Sequence, residues 1–441
     1  MAGRHRLQQG GRHIPMRYRQ MLKDAATLIG GNAWAQAIGM LSYLLLARLF
    51  TSEEFGVYNV FYSYIEVLVI LSTCKYEMAV VRADGDREAA AVARFALRMN
   101  TIISLGLLTA IGVLVACDAL PGKSATLGLV ALLIPVMVFF SGTSRVYAAL
   151  LNRWRLFRPI AASEVVTSTS GALVKVAIGA LKTAQVSCNK WLGMMGMPVG
   201  TVLGKMCGNI NYALRVRRLR LPVDLSAAEV RAAAAKHRNF ALFTMPKEWV
   251  SSFSYNLPLL WLGYYFGKAE LGLFALAMTV CLRPVNVLNG AFERMLYVRT
   301  AQRVRDRKHV ARDLCKFVGV VQLAALPVLA LLFLFAEPLF RVLFGEQWVG
   351  CAYYVRCLVP WVFVSISSAS LSFVAAVFGR QRGEFLLFLA LLGLRVAALW
   401  VGIEQDSFSL AILLFSAASA AMGAVLLAWY LLLARRHDRY L

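Results

Sequence analysis

Apolar blocks of roughly 20 residues alternate with short charged connections along the chain, and nothing else in the sequence limits its fold as strongly. A helix rises 1.5 Å per residue, so about 20 residues cross the roughly 30 Å of hydrocarbon in a bilayer. Lipid offers no hydrogen bonds, so a chain crossing it must satisfy its own backbone, and each block is expected to be a helix. Twelve blocks are placed at 26–48, 57–81, 99–117, 125–147, 160–181, 191–213, 240–262, 271–291, 317–336, 352–378, 385–402 and 408–433. The sixth is Gly-rich and holds Lys205, and the stretch from Glu337 to Gly350 reads as a short interfacial helix. The expected fold class is therefore an all-α polytopic membrane protein with about twelve transmembrane helices. A hydrophobic content of 59% agrees, since soluble domains hold about 45–50%.

Charge orients the spans. Of 47 Lys and Arg residues, 34 lie in the two terminal tails and in the connections beginning near Arg82, Arg145, Arg215, Arg294 and Arg380. The opposite connections hold 5 (Lys123, Lys182, Lys190, Lys268 and Arg341), and 8 lie within the spans. One missed helix would scramble this alternation downstream. By the positive-inside rule both termini are expected to be cytoplasmic. The net charge of +24 is thereby read as topology and attraction to anionic headgroups, and nucleic-acid binding is set aside.

The chain also repeats itself. Phe50-Thr-Ser-Glu-Glu-Phe-Gly-Val-Tyr58 matches Phe266-Gly-Lys-Ala-Glu-Leu-Gly-Leu-Phe274 at an offset of 216, which also pairs Glu77 with Glu293. That offset lays the first span on the seventh, so two parallel six-helix repeats are expected. The expected organisation is a basic tail at 1–25, a first lobe at 26–213, a linker at 214–239, a second lobe at 240–433 and a tail at 434–441. The Ala-rich stretch Ser226–Lys236 of the linker reads as a surface helix.

Several classes of chemistry are missing from the sequence. No two of the eight cysteines have CxxC spacing, and most lie in apolar blocks, which argues against a disulfide framework or a zinc site. All five histidines lie in basic polar segments. There is no nucleotide-binding P-loop, nucleophile elbow or HExxH, so neither a catalytic residue, a metal site nor a cofactor is assigned.

Five ordered patches resemble the polysaccharide flippases of the Wzx type, in the multidrug/oligosaccharidyl-lipid/polysaccharide exporter superfamily. They are Ala47–Tyr58 after the first span, Lys75-Tyr-Glu-Met-Ala-Val-Val81, Leu151–Arg158, Phe266–Phe274 with Arg283-Pro284, and Gly345-Glu-Gln-Trp348. The resemblance implies two six-helix lobes around a central cavity, as in the MATE branch of that superfamily, and alternating access. It implies as cargo a polyprenyl-diphosphate-linked oligosaccharide, flipped from the cytoplasmic to the periplasmic leaflet of a bacterial inner membrane during exopolysaccharide or lipopolysaccharide synthesis. Polysaccharide polymerase machinery is a possible partner. The Met- and Gly-rich stretch Val186–Gly200 departs from the plain helix expected there. The alternative readings are a cation-coupled multidrug exporter of the same superfamily and a membrane-bound glycosyl-transfer enzyme. The second would ordinarily show a large outward loop, and none is present.

Charges inside the spans supply the candidate site. A charge at the bilayer centre costs about 2.5–3.5 kcal/mol on insertion scales, so it must pair, reach a headgroup or face water. Eight cations are set against four span acids: Glu66, Glu77, Glu164 and Glu248. The surplus suggests a wet cavity with positive walls, suited to a diphosphate. Lys247, Arg283, Arg356, Arg395 and Lys175 are the cationic candidates, and Asn32, Gln36 and Asn256 the neutral ones. Glu66 and Glu248 are candidates for a coupling ion, with charge pairing as the alternative. Lys247 and Arg283 are expected at one depth on consecutive spans. Reporter fusions test the topology. A fusion after Arg305 is expected to report cytoplasm and one after Lys123 periplasm, and the reverse pattern would end this reading.

Overall fold

The computed structural model describes residues 38–117, 127–183, 190–219, 221–222 and 224–439. The basic N-terminal tail, Asn32 and Gln36 lie outside them. The first half holds α1 (Ile38–Leu49), α2 (Ser52–Thr73), α3 (Tyr76–Arg82), α4 (Asp86–Ala116), α5 (Leu133–Arg153), α6 (Phe157–Thr183) and α7 (Lys190–Arg217). A surface helix α8 (Ala227–Lys236) leads to the second half. That half holds α9 (Met245–Tyr265), α10 (Lys268–Arg305), α11 (Ala311–Leu334), α12 (Ala336–Leu343), α13 (Cys351–Ser368), α14 (Phe373–Val377), α15 (Gln381–Glu404) and α16 (Phe408–Arg439). Among the described residues nine helical segments are long and apolar enough to cross a membrane. Where the expected spans fall on described residues they are mainly helical: the first is described from Ile38 only, and those at 57–81 and 352–378 are each divided between two helices. The short helix expected after Glu337 is α12.

The edges differ from expectation in one consistent way. α4 begins at Asp86, whereas hydropathy starts the span at residue 99, and α10 runs to Arg305, past the expected end at 291. Hydropathy marks where a helix leaves lipid, whereas the helix itself continues while its backbone bonds are made. α10 has 38 residues, so it is about 57 Å long and projects well beyond the hydrocarbon.

The two matched nonapeptides occupy equivalent turns. Thr51 caps α2 by accepting from the Glu54 amide, and Glu54 accepts from the Thr51 amide at 2.8 Å, a capping box read directly from Thr-Ser-Glu-Glu. Gly267 is the corresponding cap of α10. Their partner glycines meet: a Cβ on Gly272 would lie 1.8 Å from the Ser52 carbonyl oxygen, and one on Gly56 would lie 2.2 Å from that of Lys268. Only glycine permits this backbone contact between α2 and α10, the second helix of each half. Beside it the buried Trp348 donates its Nε1 to the Ala47 carbonyl at 2.7 Å and packs edge-on against Phe55.

The same small-residue logic explains the unusual sixth span. Gly196, Gly200, Gly204 and Gly208 recur every four residues along one face of α7. A Cβ on Gly204 would stand 2.7 Å from the Gly171 Cα of α6. The departure from a plain apolar helix is therefore a packing seam.

Apolar packing is distributed unequally between the two ends. At the end bearing the α2 and α10 caps, one buried cluster takes residues from both halves, including Phe50, Phe55, Leu271, Phe274, Phe340 and Trp348. At the end bearing α8 there are two separate clusters, one around Ala79, Val92, Leu150 and Val230 and the other around Leu296, Leu314, Phe373 and Tyr430. The halves are thus joined at one end and parted at the other, called here the joined end and the basic end.

α8 belongs to the first half. Val230, Ala233 and Ala234 are buried against it, and Tyr76 donates to the Ala234 carbonyl at 3.2 Å. Lys236 pairs with Asp84 at 2.6 Å and Arg87 with Glu229 at 2.8 Å. The Lys236 ammonium holds the Asp84 carboxyl below its usual range, and Glu229 is drawn down to about 2, chiefly by Arg87. These exposed pairs are screened by water and salt, so the apolar face is the firmer attachment. A single π-helical turn, Phe240–Thr244, then connects α8 to α9.

Replacing Gly272 with Val is expected to lower stability by about 1–3 kcal/mol, the usual cost of overpacking. Thermal unfolding in detergent would show it. Gly106→Ala, where a Cβ meets nothing within 4 Å, is the control expected to unfold no earlier than the parent.

Candidate functional site, a polar cavity between the halves

Below the glycine contact, toward the basic end, the halves enclose a cavity of about 460 Å³. α2 and α5 supply one wall and α9 and α10 the other. The repeat is visible in the lining. Asn59, Tyr62 and Ser63 of α2 face the cavity, and their equivalents at the offset of 216, Ala275, Met278 and Thr279 of α10, face it too.

Its charged groups are Lys75, Arg145 and Arg283 against Glu66 and Glu248. Arg283 donates Nη2 to the Tyr43 hydroxyl at 2.9 Å and lies 4.5 Å from the ring centroid. It forms no ion pair within 4 Å among the described residues. Glu66, at the matching depth of the other half, accepts from Asn256 Nδ2 at 3.1 Å and feels the charges of Arg283 and Arg145. These two contacts are reciprocal: α1 of the first half bonds α10 of the second, and α9 of the second bonds α2 of the first. Lys75 stands at the α2–α3 junction with a left-handed φ of 60°, 4.0 Å from Glu77 and 3.8 Å from Glu248. The Glu248 side chain is 49% exposed and forms the rim.

The remaining lining consists largely of hydroxyls, amides and two tyrosines, among them Ser252, Asn256, Asn286, Tyr62 and Tyr255. Such groups hydrogen-bond neutral polar ligands, and the tyrosine rings offer stacking faces. The cavity therefore suits a ligand that is both polyhydroxylated and anionic.

Of the sequence candidates, the structure gathers Arg283, Asn256, Glu66 and Glu248 around this cavity. The other four cations are absent from its lining, each for a local reason. Lys247 turns into the second half and pairs with the buried Glu384, which also accepts from Tyr430 at 2.8 Å. Lys247 and Arg283 therefore do not share one site. Arg356 pairs with Glu337 of α12 at 3.1 Å near the joined end. Arg395 is buried in the second half between the Trp361 and Phe415 rings and donates to Ser254 and Ser419, both at 2.9 Å. Lys175 donates to the Tyr58 hydroxyl at 3.1 Å, above the cavity.

Sequence reasoning misses Arg145 and undervalues Lys75. Arg145 falls at the edge of the expected span 125–147 and is counted there with the basic connection that follows, but α5 continues through Val-Tyr-Ala-Ala-Leu-Leu to Arg153, which places Arg145 two turns inside the helix. That apolar continuation is the available signal. Lys75, near a span end, reads as reaching for headgroups. The helix break at Cys74-Lys75, both at positive φ, instead leaves it at the rim beside Glu248, and no sequence pattern announces that break.

The fold is that of transporters of the MOP superfamily. The lipid II flippase MurJ in an inward closed conformation superposes with a TM-score of 0.74 at 12% identity, covering 91% of this chain and 86% of that one. An inward-facing multidrug resistance MATE family transporter gives 0.68 at 15% identity, covering 92% and 96%. Within this fold the chain belongs to the polysaccharide biosynthesis protein family, whose profile matches residues 45–353. The succinoglycan biosynthesis transport protein ExoT of Rhizobium meliloti is 23% identical over 311 residues. That match covers 69% of this chain, and it spans 58% of the length of ExoT.

Single cysteines at Ser251 and Thr279 are expected to react with a membrane-impermeant maleimide applied to the basic end, whereas one at the buried Ala47 should stay unreacted. Mass shifts on inverted vesicles check this. Equal protection of all three would mean that water does not enter the cavity.

Proposed function

We propose that this protein flips a polyprenyl-diphosphate-linked oligosaccharide from the cytoplasmic to the periplasmic leaflet of a bacterial inner membrane, as a step in exopolysaccharide or lipopolysaccharide synthesis. The observation that carries the reading is the cavity itself, shared by both halves, wet enough to hold five ionisable groups, with three cations against two carboxylates. A cavity dominated by carboxylates would have favoured a cationic drug as cargo. The family and the name of its transport relative support the same reading.

Transport here is movement without bond chemistry. The two lobes, 26–213 and 240–433, rock about their contact and expose the cavity to each side in turn. The described state is joined at the Trp348 side and parted at the α8 side, which on the proposed topology opens the cavity to the cytoplasm. Lys75, Arg145 and Arg283 together make the cavity attractive to an anionic cargo, while hydroxyls and tyrosines accept the sugar. Binding stays moderate because a cargo held too tightly would not leave. Glu66 and Glu248 balance the cations when the cavity is empty, and either carboxylate can take up a coupling cation. The flipped unit passes to polymerase machinery on the outer face.

Loss of the gene is expected to trap lipid-linked units on the inner leaflet, measured by their protection from an externally added glycosidase in spheroplasts. Arg283→Ala should lower surface polysaccharide at least about tenfold while membrane levels of the protein persist, since losing a buried charge-assisted contact costs about 1.5–3 kcal/mol. Polymer at normal levels in a strain with no second flippase would overturn the assignment.

A further inference from the structure

The cavity's cations stand at two depths, and the spacing between them exceeds what one diphosphate needs. α2 and α10 run side by side from the Gly56–Gly272 contact toward the basic end. Glu66 lies ten residues past Gly56 and Arg283 eleven past Gly272, so they share a depth. Lys75 comes nine residues after Glu66, and the seven helical steps to Thr73 alone carry the backbone about 10 Å further toward the basic end. Arg145 shares that lower level. Gly142 of α5 packs on α2 so closely that a Cβ would lie 2.9 Å from Ser72 Oγ, and Arg145 follows it by three residues. The lower tier is thus Lys75 and Arg145, and the upper tier is Arg283.

Taking the flippase reading as given, the cargo's orientation follows from its own chemistry. The polyprenyl tail stays in lipid, and the diphosphate joins tail to sugar. The diphosphate therefore remains nearest the headgroup level, at the cavity mouth, while the free end of the saccharide enters deepest. Lys75 and Arg145 meet the diphosphate, and Arg283 lies beyond its reach.

Arg283 has its own unmet requirement. Its one hydrogen bond to a side chain goes to a neutral hydroxyl, that of Tyr43, whose ring also backs the guanidinium. No carboxylate lies within 4 Å of it among the described residues, and the acid at its depth, Glu66, is capped by Asn256. Neutral sugar hydroxyls would be served by Asn59, Asn286, Tyr62 and Tyr255 without a cation. A planar guanidinium held at membrane depth matches a carboxylate, which it can bind through two parallel hydrogen bonds.

We propose that the upper tier is a saccharide subsite in which Arg283 reads a carboxylate-bearing sugar at the far end of the cargo, while Lys75 and Arg145 hold the diphosphate. Arg283 is then a specificity-determining residue, and transport selects acidic repeat units.

The test uses the full-length protein in nanodiscs and three probes: a short-chain polyprenyl diphosphate, the same lipid carrying a disaccharide of neutral hexoses, and the same lipid whose disaccharide ends in glucuronic acid. The acidic lipid is expected to bind about tenfold tighter than the neutral one, the difference that one charge-assisted pair supplies. Arg283→Gln should erase that difference and leave the sugar-free lipid bound as before, which also shows that the variant is folded. Arg283→Lys should restore part of the preference. Lys75→Ala and Arg145→Ala should weaken all three lipids alike. Equal binding of neutral and acidic lipids by the parent protein would overturn the subsite and leave the flippase reading standing. An Arg283→Gln variant that loses the sugar-free lipid equally would place the diphosphate on Arg283 and also overturn the subsite. Failure of all three lipids to bind would remove the flippase reading and this proposal together.

Discussion

The contact between Gly56 and Gly272 sets the geometry of everything around it. Two helix backbones touch where a single methyl group would collide with a carbonyl oxygen. Bulkier side chains follow on both helices, so the pair is drawn together at one end and spreads toward the other. The pooled apolar cluster at the joined end and the two separate clusters at the basic end follow from that divergence. So does the cavity, which begins where α2 and α10 can no longer fill the space between them. Because the glycines are equivalents in the internal repeat, the contact lies where a two-fold relation between the halves would place it.

The cations sort themselves by the same geometry. Close to a neighbouring helix an ammonium or guanidinium finds a local acid or aromatic face, as Lys247 does with Glu384, Lys205 with Glu164 at 3.9 Å, and Arg395 between two rings. A cation between aromatic faces gains about 2 kcal/mol when desolvated, a substantial part of the insertion cost of a charge. Where α2, α5, α9 and α10 part company, cations face open volume. Arg145 and Arg283 are in that position, and neither forms an ion pair within 4 Å among the described residues. Of the cations within the helices, those left after local pairing thus give the space between the halves three positive groups against two carboxylates.

How much of this is legible in the sequence differs between depth and direction. Depth along a helix is fixed by counting residues from a block's edge, so the repeat at offset 216 is enough to set Glu66 and Arg283 at one level. The α12 helix and the linker helix are legible for the same reason, since Glu337 to Gly350 and Ser226 to Lys236 carry their own start and stop signals. Direction around the helix axis is not legible. Successive residues turn by about 100°, and blocks that are apolar on every side give no moment to orient them. Arg356 and Arg395 turn away from the cavity for that reason. Lys247 and Arg283 differ in depth as well: Lys247 adjoins Glu248 at the rim, whereas Arg283 is level with Glu66, whose partner Asn256 comes nine residues after Lys247 along α9. The expected common depth fails because α10 continues past its apolar block to Arg305. Glu384 is invisible as a partner because it stands just outside an apolar block, and Arg145 is counted with a basic connection because it stands at the edge of one.

The arrangement also limits what can drive the rocking proposed for it. Opening the joined end must separate Trp348 from Ala47 and Phe55, part the glycine contact, and break the Tyr43–Arg283 and Asn256–Glu66 bonds that cross between the halves. Exposing a buried indole alone costs a few kcal/mol. Closing the basic end must in return bring together two faces that both carry Arg and Lys, which repel across a narrowing gap. An anionic cargo acts on both sides of that balance. It neutralises Lys75 and Arg145 at the closing end, and any negative group that reaches Arg283 competes directly with Tyr43 at the opening end. A neutral ligand of the same size would do neither, so within this fold the sign of the cargo's charge bears on movement as well as on binding.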